Sequence, residues 1–181
     1  MAKEYVILVD QNDASIGCME KIEAHEKGLL HRAFSIFVFR ERRGRLETLL
    51  QKRSERKYHF GGLWSNTCCG HPRQGESTRE AAMRRLLEEM HIDCALTSIG
   101  QFRYSARSPN GLVEHEIDHV MAGTYDEDAP DPNPEEVGGH RWMTVEALDA
   151  ELESKPETFT PWFESAYGIF RQSYRNAVRP S

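Results

Sequence analysis

The stretch Ser77 to Met90 constrains this chain most, because Ala81, Ala82, Met83, Leu86, Leu87 and Met90 recur at helical spacing. Ser77 supplies an N-cap, and Glu80 three residues later completes a capping-box pattern, so the helix start is set by side chains that satisfy its free N–H groups. Charged residues Arg84, Arg85, Glu88 and Glu89 share this helix. Its apolar stripe needs a surface to lie on, and the sequence offers strands. Ala33 to Phe39 is the strongest strand pattern, closed by a turn at Gly44 and answered by Leu46 to Gln51 as a hairpin.

The remaining segments fill in around that pair. Tyr5 to Val9 reads as a strand ending in the turn residues Asp10 to Asp13, and a second strand begins at Cys18 to Lys21. Gly61-Gly62 and Gly70 bracket a short extended piece. Beyond Phe102-Arg103-Tyr104, Pro109-Asn110-Gly111 makes a turn, and Val113 to Tyr125 alternates as a long strand. Asp126 to Pro134 is an acidic, proline-rich loop. It is followed by a strand at Val137 to Met143, a helix at Val145 to Leu152, and a C-terminal helix at Pro161 to Val178 with a frayed end. No repeat or linker divides the chain, so residues 1–181 read as a single domain, a length that buries roughly 70% of the unfolded surface. Strands followed by isolated helices predict an α+β fold, with helices on a mixed or antiparallel sheet.

Composition removes several classes of function. The net charge of −6 argues against non-specific nucleic-acid binding, while Arg40 to Arg43 and Lys52 to Lys57 remain candidate local anion sites. No apolar run approaches the roughly 18 residues of a spanning helix, and no basic-then-apolar leader opens the sequence, which argues against membrane insertion and secretion. The four cysteines include the adjacent pair Cys68-Cys69 and no C-x-x-C motif, which suits a reducing cytosol.

Five residues have the chemistry of a metal site: His25, His31, His71, Glu114 and Glu116. Imidazole with carboxylate suits Mn²⁺, Zn²⁺, Fe²⁺ or Mg²⁺, and the i, i+2 spacing of Glu114 and Glu116 projects both from one face of a strand.

From Gly70 the chain reads G-x5-E-x7-R-R-L-x-E-E-x-H-I. This resembles the Nudix box over its whole length, with Arg85 in place of a glutamate and His91 in place of a glycine. The glutamates of that box hold divalent metals against a diphosphate. A guanidinium at Arg85 removes one such ligand and suits direct contact with diphosphate oxygens instead. Further segments are similar to the type I isopentenyl-diphosphate isomerases, in the same order along the chain. They are Glu20-Lys21 with His25, His31-Arg-Ala-Phe-Ser, Trp64-Ser-Asn-Thr-Cys-Cys-Gly-His-Pro, Phe102-Arg-Tyr-Ser-Ala, Gly111-Leu-Val-Glu-His-Glu and Thr160-Pro-Trp.

That resemblance implies a Nudix-like α/β/α sandwich and an octahedral metal, Mn²⁺ or another divalent ion, held by His25, His31, His71, Glu114 and Glu116. It implies Cys69 and Glu116 as the catalytic pair on opposite faces of the substrate, Tyr104 hydrogen-bonded to Glu116, and Trp162 covering a carbocation. By the same motifs Lys21, Arg53, Lys57 and Arg85 meet the diphosphate, and Glu89 holds a bridging Mg²⁺. The implied reaction interconverts isopentenyl and dimethylallyl diphosphate in a cytoplasmic monomer or homodimer, for isoprenoid biosynthesis. Two rivals stand beside it: a Nudix hydrolase of nucleoside diphosphates, against which Arg85, Cys69 and the histidines speak, and a noncatalytic metal-binding module on the same scaffold.

Overall fold

The apolar strand expected at Ala33 to Phe39 extends at both ends, and the chain is organised around it. The computed structural model describes residues 3–129 and 131–178. In chain order the elements are β1 (Tyr5–Val9), β2 (Ser15–Glu20), α1 (Lys21–Lys27), β3 (His31–Arg42), β4 (Arg45–Arg53), β5 (Trp64–Ser65) and β6 (Cys68–Gly70). There follow α2 (Thr78–Met90), β7 (Thr97–Arg107), β8 (Val113–Thr124), β9 (Val137–Thr144), α3 (Val145–Ser154) and α4 (Phe163–Val178).

One edge of β3 pairs in parallel with β8, from His31 opposite Glu116 to Phe39 opposite Thr124. The other edge pairs antiparallel with β1, β6 and β4 in turn. β7 extends the sheet beyond β8, β9 and β5 beyond β4, and β2 beyond β1, all antiparallel. The sheet is therefore mixed, as expected. β3 alternates so that Phe34, Ile36 and Val38 pack with Ala81, Ala82, Leu86 and Met90 of α2. Phe37 points the other way, to Val145 and Leu148 of α3 and Phe163, Tyr167 and Phe170 of α4, and stacks on Phe170 at 4.9 Å. Helices thus cover both faces, an α/β/α sandwich. Each such buried side chain contributes roughly 1.5–3 kcal/mol of transfer free energy.

The capping box forms as read: Ser77 Oγ accepts from the Glu80 N–H, and the Glu80 carboxylate accepts from the Ser77 N–H at 2.9 Å. Three expectations need correction. The second strand starts at Ser15 rather than Cys18, and Lys21 is the first residue of α1 rather than part of a strand. α1 has seven residues and buries only Ala24 and His25, too few for a helical period to show. Its start depends on the Glu20 carboxylate, which accepts from the Ile22 and Glu23 N–H groups. Its end depends on Gly28 at φ 62°, where a Cβ would stand 3.3 Å from Val113 Cγ1. The last helix begins at Phe163, leaving Pro161 and Trp162 in the preceding turn. The expected fraying beyond Val178, and Pro130 of the acidic loop, lie outside the described residues.

Candidate active site

The strand alternation of β8 puts Glu114, Glu116 and Asp118 on one face, all buried. His31 opens β3 directly opposite Glu116, α1 brings His25, and His71 leaves β6 toward the same point. Ligand atoms of His25, His31, His71, Glu114 and Glu116 all lie within 4.8 Å of one another. The five residues read from the sequence as one metal site are therefore brought together.

Their hydrogen bonds fit a cation. His25 Nδ1 lies 2.6 Å from the Lys21 carbonyl and His31 Nδ1 2.8 Å from the Leu29 carbonyl, so each ring donates from Nδ1 and turns the Nε2 lone pair inward. His25 Nε2 then lies 3.0 Å from Glu114, and His71 Nε2 2.8 Å from Glu116. His31 Nε2 is buried without a hydrogen-bond partner, 3.3 Å from Glu116. Lone pairs facing carboxylate oxygens in a buried site need a positive charge between them. Burial pushes His71 down to about 4, which keeps it neutral at pH 7 as a ligand must be.

Of these groups His71, Glu114 and Glu116 line one wall of a cleft of about 1080 Å³, with His25 and His31 buried behind it. Tyr104 of β7 donates to Glu116 Oε2 at 2.6 Å; its burial and the neighbouring carboxylates push the phenol well above its usual range, so it stays a donor. Cys69 of β6 is half-buried and lines the cleft. Burial pushes its thiol up to about 11, leaving it protonated at neutral pH. Trp162 is buried at the same end, edge-on to Phe60 at 5.8 Å and 6.1 Å from the Tyr104 ring.

The expected diphosphate cations divide into groups. Lys57 and Arg85 both pair with Glu136 and both face Glu89, whose other oxygen accepts from Gln51 at 2.8 Å. Arg53 is apart from these ion pairs: its guanidinium lies 5.3 Å from the Trp162 ring centre and donates to the His59 carbonyl. Lys21 stands over the Tyr58 ring at 4.9 Å and donates to Glu4. All four line the cleft.

The chain matches the NUDIX domain family over residues 29–163. It is 50% identical over 161 residues to an isopentenyl-diphosphate Delta-isomerase of Burkholderia multivorans, covering 89% of each chain. It is 48% identical over 162 residues to one of Pectobacterium atrosepticum, covering 90% of this chain and 88% of the relative. The chain belongs to the isopentenyl-diphosphate Delta-isomerases, within the NUDIX family.

Solved structures agree on the fold of this isomerase. A Deinococcus radiodurans protein superposes with a TM-score of 0.71 at 22% identity, covering 93% of this chain and 98% of that one. A MutT protein of Methanosarcina mazei Go1 gives 0.61 at 20%, covering 83% and 96%. Among the described residues no helix is long and apolar enough to cross a membrane.

Several residues of the isomerase cleft escaped sequence reasoning. His59 Nε2 pairs with the Glu114 oxygen that His25 leaves free. Asp118 continues the Glu114, Glu116 row by one more period; burial and Glu116 raise its carboxyl well above the usual range, and Ser35 donates to it at 2.7 Å. That period of 2 was a signal available in the sequence. Glu136 gave none, because its partners come from distant segments, and Asn66, buried behind the cleft, stood inside the segment Trp64 to Pro72 with no role marked for it.

Proposed function

We propose that this isomerase shifts the double bond of isopentenyl diphosphate to give dimethylallyl diphosphate, supplying isoprenoid biosynthesis, by one proton addition and one proton removal within the described cleft. The observation that carries the reading is Glu116, which belongs to the donor cluster and also accepts the Tyr104 hydrogen, in the same cleft that holds the Cys69 thiol.

His25, His31, His71, Glu114 and Glu116 would hold Mn²⁺ or another divalent metal and Glu89 a Mg²⁺, which when bound neutralise the carboxylates and the diphosphate and act as Lewis acids. Lys57 and Arg85 leave Glu136 for the diphosphate oxygens, with Arg53 and Lys21 at the margins. That end locates a substrate whose apolar tail has few handles. The terminal alkene carbon gains a proton and the carbon next to the oxygen-bearing methylene loses one. Cys69 serves one of these positions and Glu116, steadied by Tyr104, the other. After one turnover the two groups have exchanged protonation states, so a proton must return before the next.

The state between the two transfers carries positive charge on a tertiary carbon. Trp162 offers its ring face to that charge, an attraction of about 2 kcal/mol when desolvated. Trp162 and Tyr104 line this end, with Phe60 packed edge-on against Trp162, and their apolar surface keeps water from capturing the cation. The four free cysteines agree with a cytoplasmic setting.

Incubation of metal-loaded protein with isopentenyl diphosphate and, separately, with nucleoside diphosphates tests the reading. Dimethylallyl diphosphate from the first and no phosphate release from the second is the expected result. Hydrolysis without isomerisation would replace this reading by the hydrolase.

A further inference from the structure

Asn66, in the turn between β5 and β6, is fully buried, and both ends of its carboxamide are committed. Nδ2 donates to the carbonyls of Ile36 at 3.3 Å and Cys68 at 2.7 Å. Turning the group over would set its oxygen against two backbone oxygens, so these bonds fix which end is which. Oδ1 must face the opposite way. There it meets the Trp162 indole N–H at 3.2 Å, the Ser65 hydroxyl at 2.9 Å and the Cys69 thiol at 3.6 Å.

Three donors therefore converge on an oxygen with two lone pairs. The indole N–H is a donor only, and its one acceptor among the described residues is Asn66. Ser65 has alternatives, since its hydroxyl is also 3.2 Å from Thr160 Oγ1 and 3.7 Å from Cys69 Sγ. The thiol contact is the longest of the three. Asn66 thus holds the Trp162 ring firmly and the thiol hydrogen loosely, and couples the two groups through a single atom.

We propose that Asn66 is a positioning residue for the isomerisation, its carboxamide oxygen setting the spacing of the Cys69 thiol and the Trp162 ring across the isoprenyl end of the cleft. This rests on the roles given above to Cys69 and Trp162. Proton transfer to or from carbon needs the thiol at the reacting atom while the ring face covers the charge formed, and small displacements of either cost rate steeply. The diphosphate is gripped elsewhere, by Lys57 and Arg85. Loss of Asn66 therefore falls on kcat and leaves KM nearly unchanged.

The test measures kcat, KM and inhibition by inorganic pyrophosphate for the metal-loaded full chain as wild type, Asn66→Ala, Trp162→Phe and the double variant. Asn66→Ala is expected to lower kcat by about 30-fold or more, with KM and pyrophosphate inhibition within about threefold of wild type. In the Trp162→Phe background, where the N–H is already gone, the further loss is expected to shrink to about fivefold or less. A parallel fall in kcat and rise in KM, or equal losses in the two backgrounds, overturns the proposal. Should Asn66→Ala not fold, benzothienylalanine at position 162 keeps the ring shape and removes only the N–H. About tenfold lower kcat at unchanged KM is then expected, and wild-type kcat overturns the proposal. Cys69→Ala and Trp162→Ala are assayed beside these. Wild-type turnover in both defeats the catalytic reading itself, whereas their inactivity beside wild-type kcat in Asn66→Ala defeats only the role of Asn66.

Discussion

Tyr104 donates its phenolic hydrogen to Glu116 Oε2 at 2.6 Å, and the two residues stand directly opposite each other in the β7–β8 register. The sheet itself enforces the pairing, since Tyr104 and Glu116 occupy the same face of adjacent antiparallel strands. Tyr104→Phe keeps the ring and removes the donor. A hydrogen bond to a charged group is worth about 1.5–3 kcal/mol, so kcat should fall about 10- to 100-fold with KM little changed. Steady-state kinetics on the purified variant checks this, and unaltered kcat would remove Tyr104 from the mechanism.

The donor cluster carries a stability prediction. Glu114 and Glu116 sit buried side by side, and a divalent ion relieves their repulsion only in the folded state. Metal at about 100 times its Kd should add about 2.7 kcal/mol, raising Tm by roughly 5–10 °C above that of chelator-treated protein. His25→Ala should abolish most of that increment, as read by thermal unfolding with and without Mn²⁺.

Lys57 should act on binding rather than on chemistry. Its partner Glu136 is partly exposed, and the buried Glu89 keeps Arg85 and Gln51 when Lys57 is replaced by Met, so stability should change by less than about 1 kcal/mol. KM for isopentenyl diphosphate should rise about tenfold or more while kcat changes less. A kcat loss with unaltered KM would place Lys57 outside the diphosphate contacts.

Much of this arrangement was legible in the chain, and the reasons are specific. The period of α2 and the alternation of β3 are written in long apolar patterns that tertiary packing reinforces. Glu114 and Glu116 were legible because a strand period of 2 must place them together. α1 was not, since seven residues buried on one side by β8 leave no period to read. The basic character of Arg53 was visible, but its place against Trp162, 109 positions away in sequence, depends on the turn before α4. Asn66 and His59 likewise acquire meaning only from distant partners, Trp162 and Glu114.

Acid stability should show the Glu76–Arg84 pair. Hydrogen bonding from Arg84 and from the Arg73 N–H holds the Glu76 carboxyl below its usual range. Its stabilisation is complete above the unfolded-state value of about 4.3 and is lost as pH falls through the lower folded-state value. The urea midpoint of Glu76→Gln should therefore lie below that of wild type near neutral pH and converge with it in acid. A gap that widens on acidification would contradict the sign.

The proposed exchange of protons at the carbons of isopentenyl diphosphate by Cys69 and Glu116 marks the product when the solvent is D₂O. It is tested most directly by incubating that substrate in D₂O with metal-loaded wild type and with Cys69→Ala, and reading the product by NMR and mass spectrometry. Deuterium-labelled dimethylallyl diphosphate is expected from the wild type and none from the variant. Isomerisation by Cys69→Ala at the wild-type rate, or intact substrate beside hydrolysed nucleoside diphosphates, would contradict it.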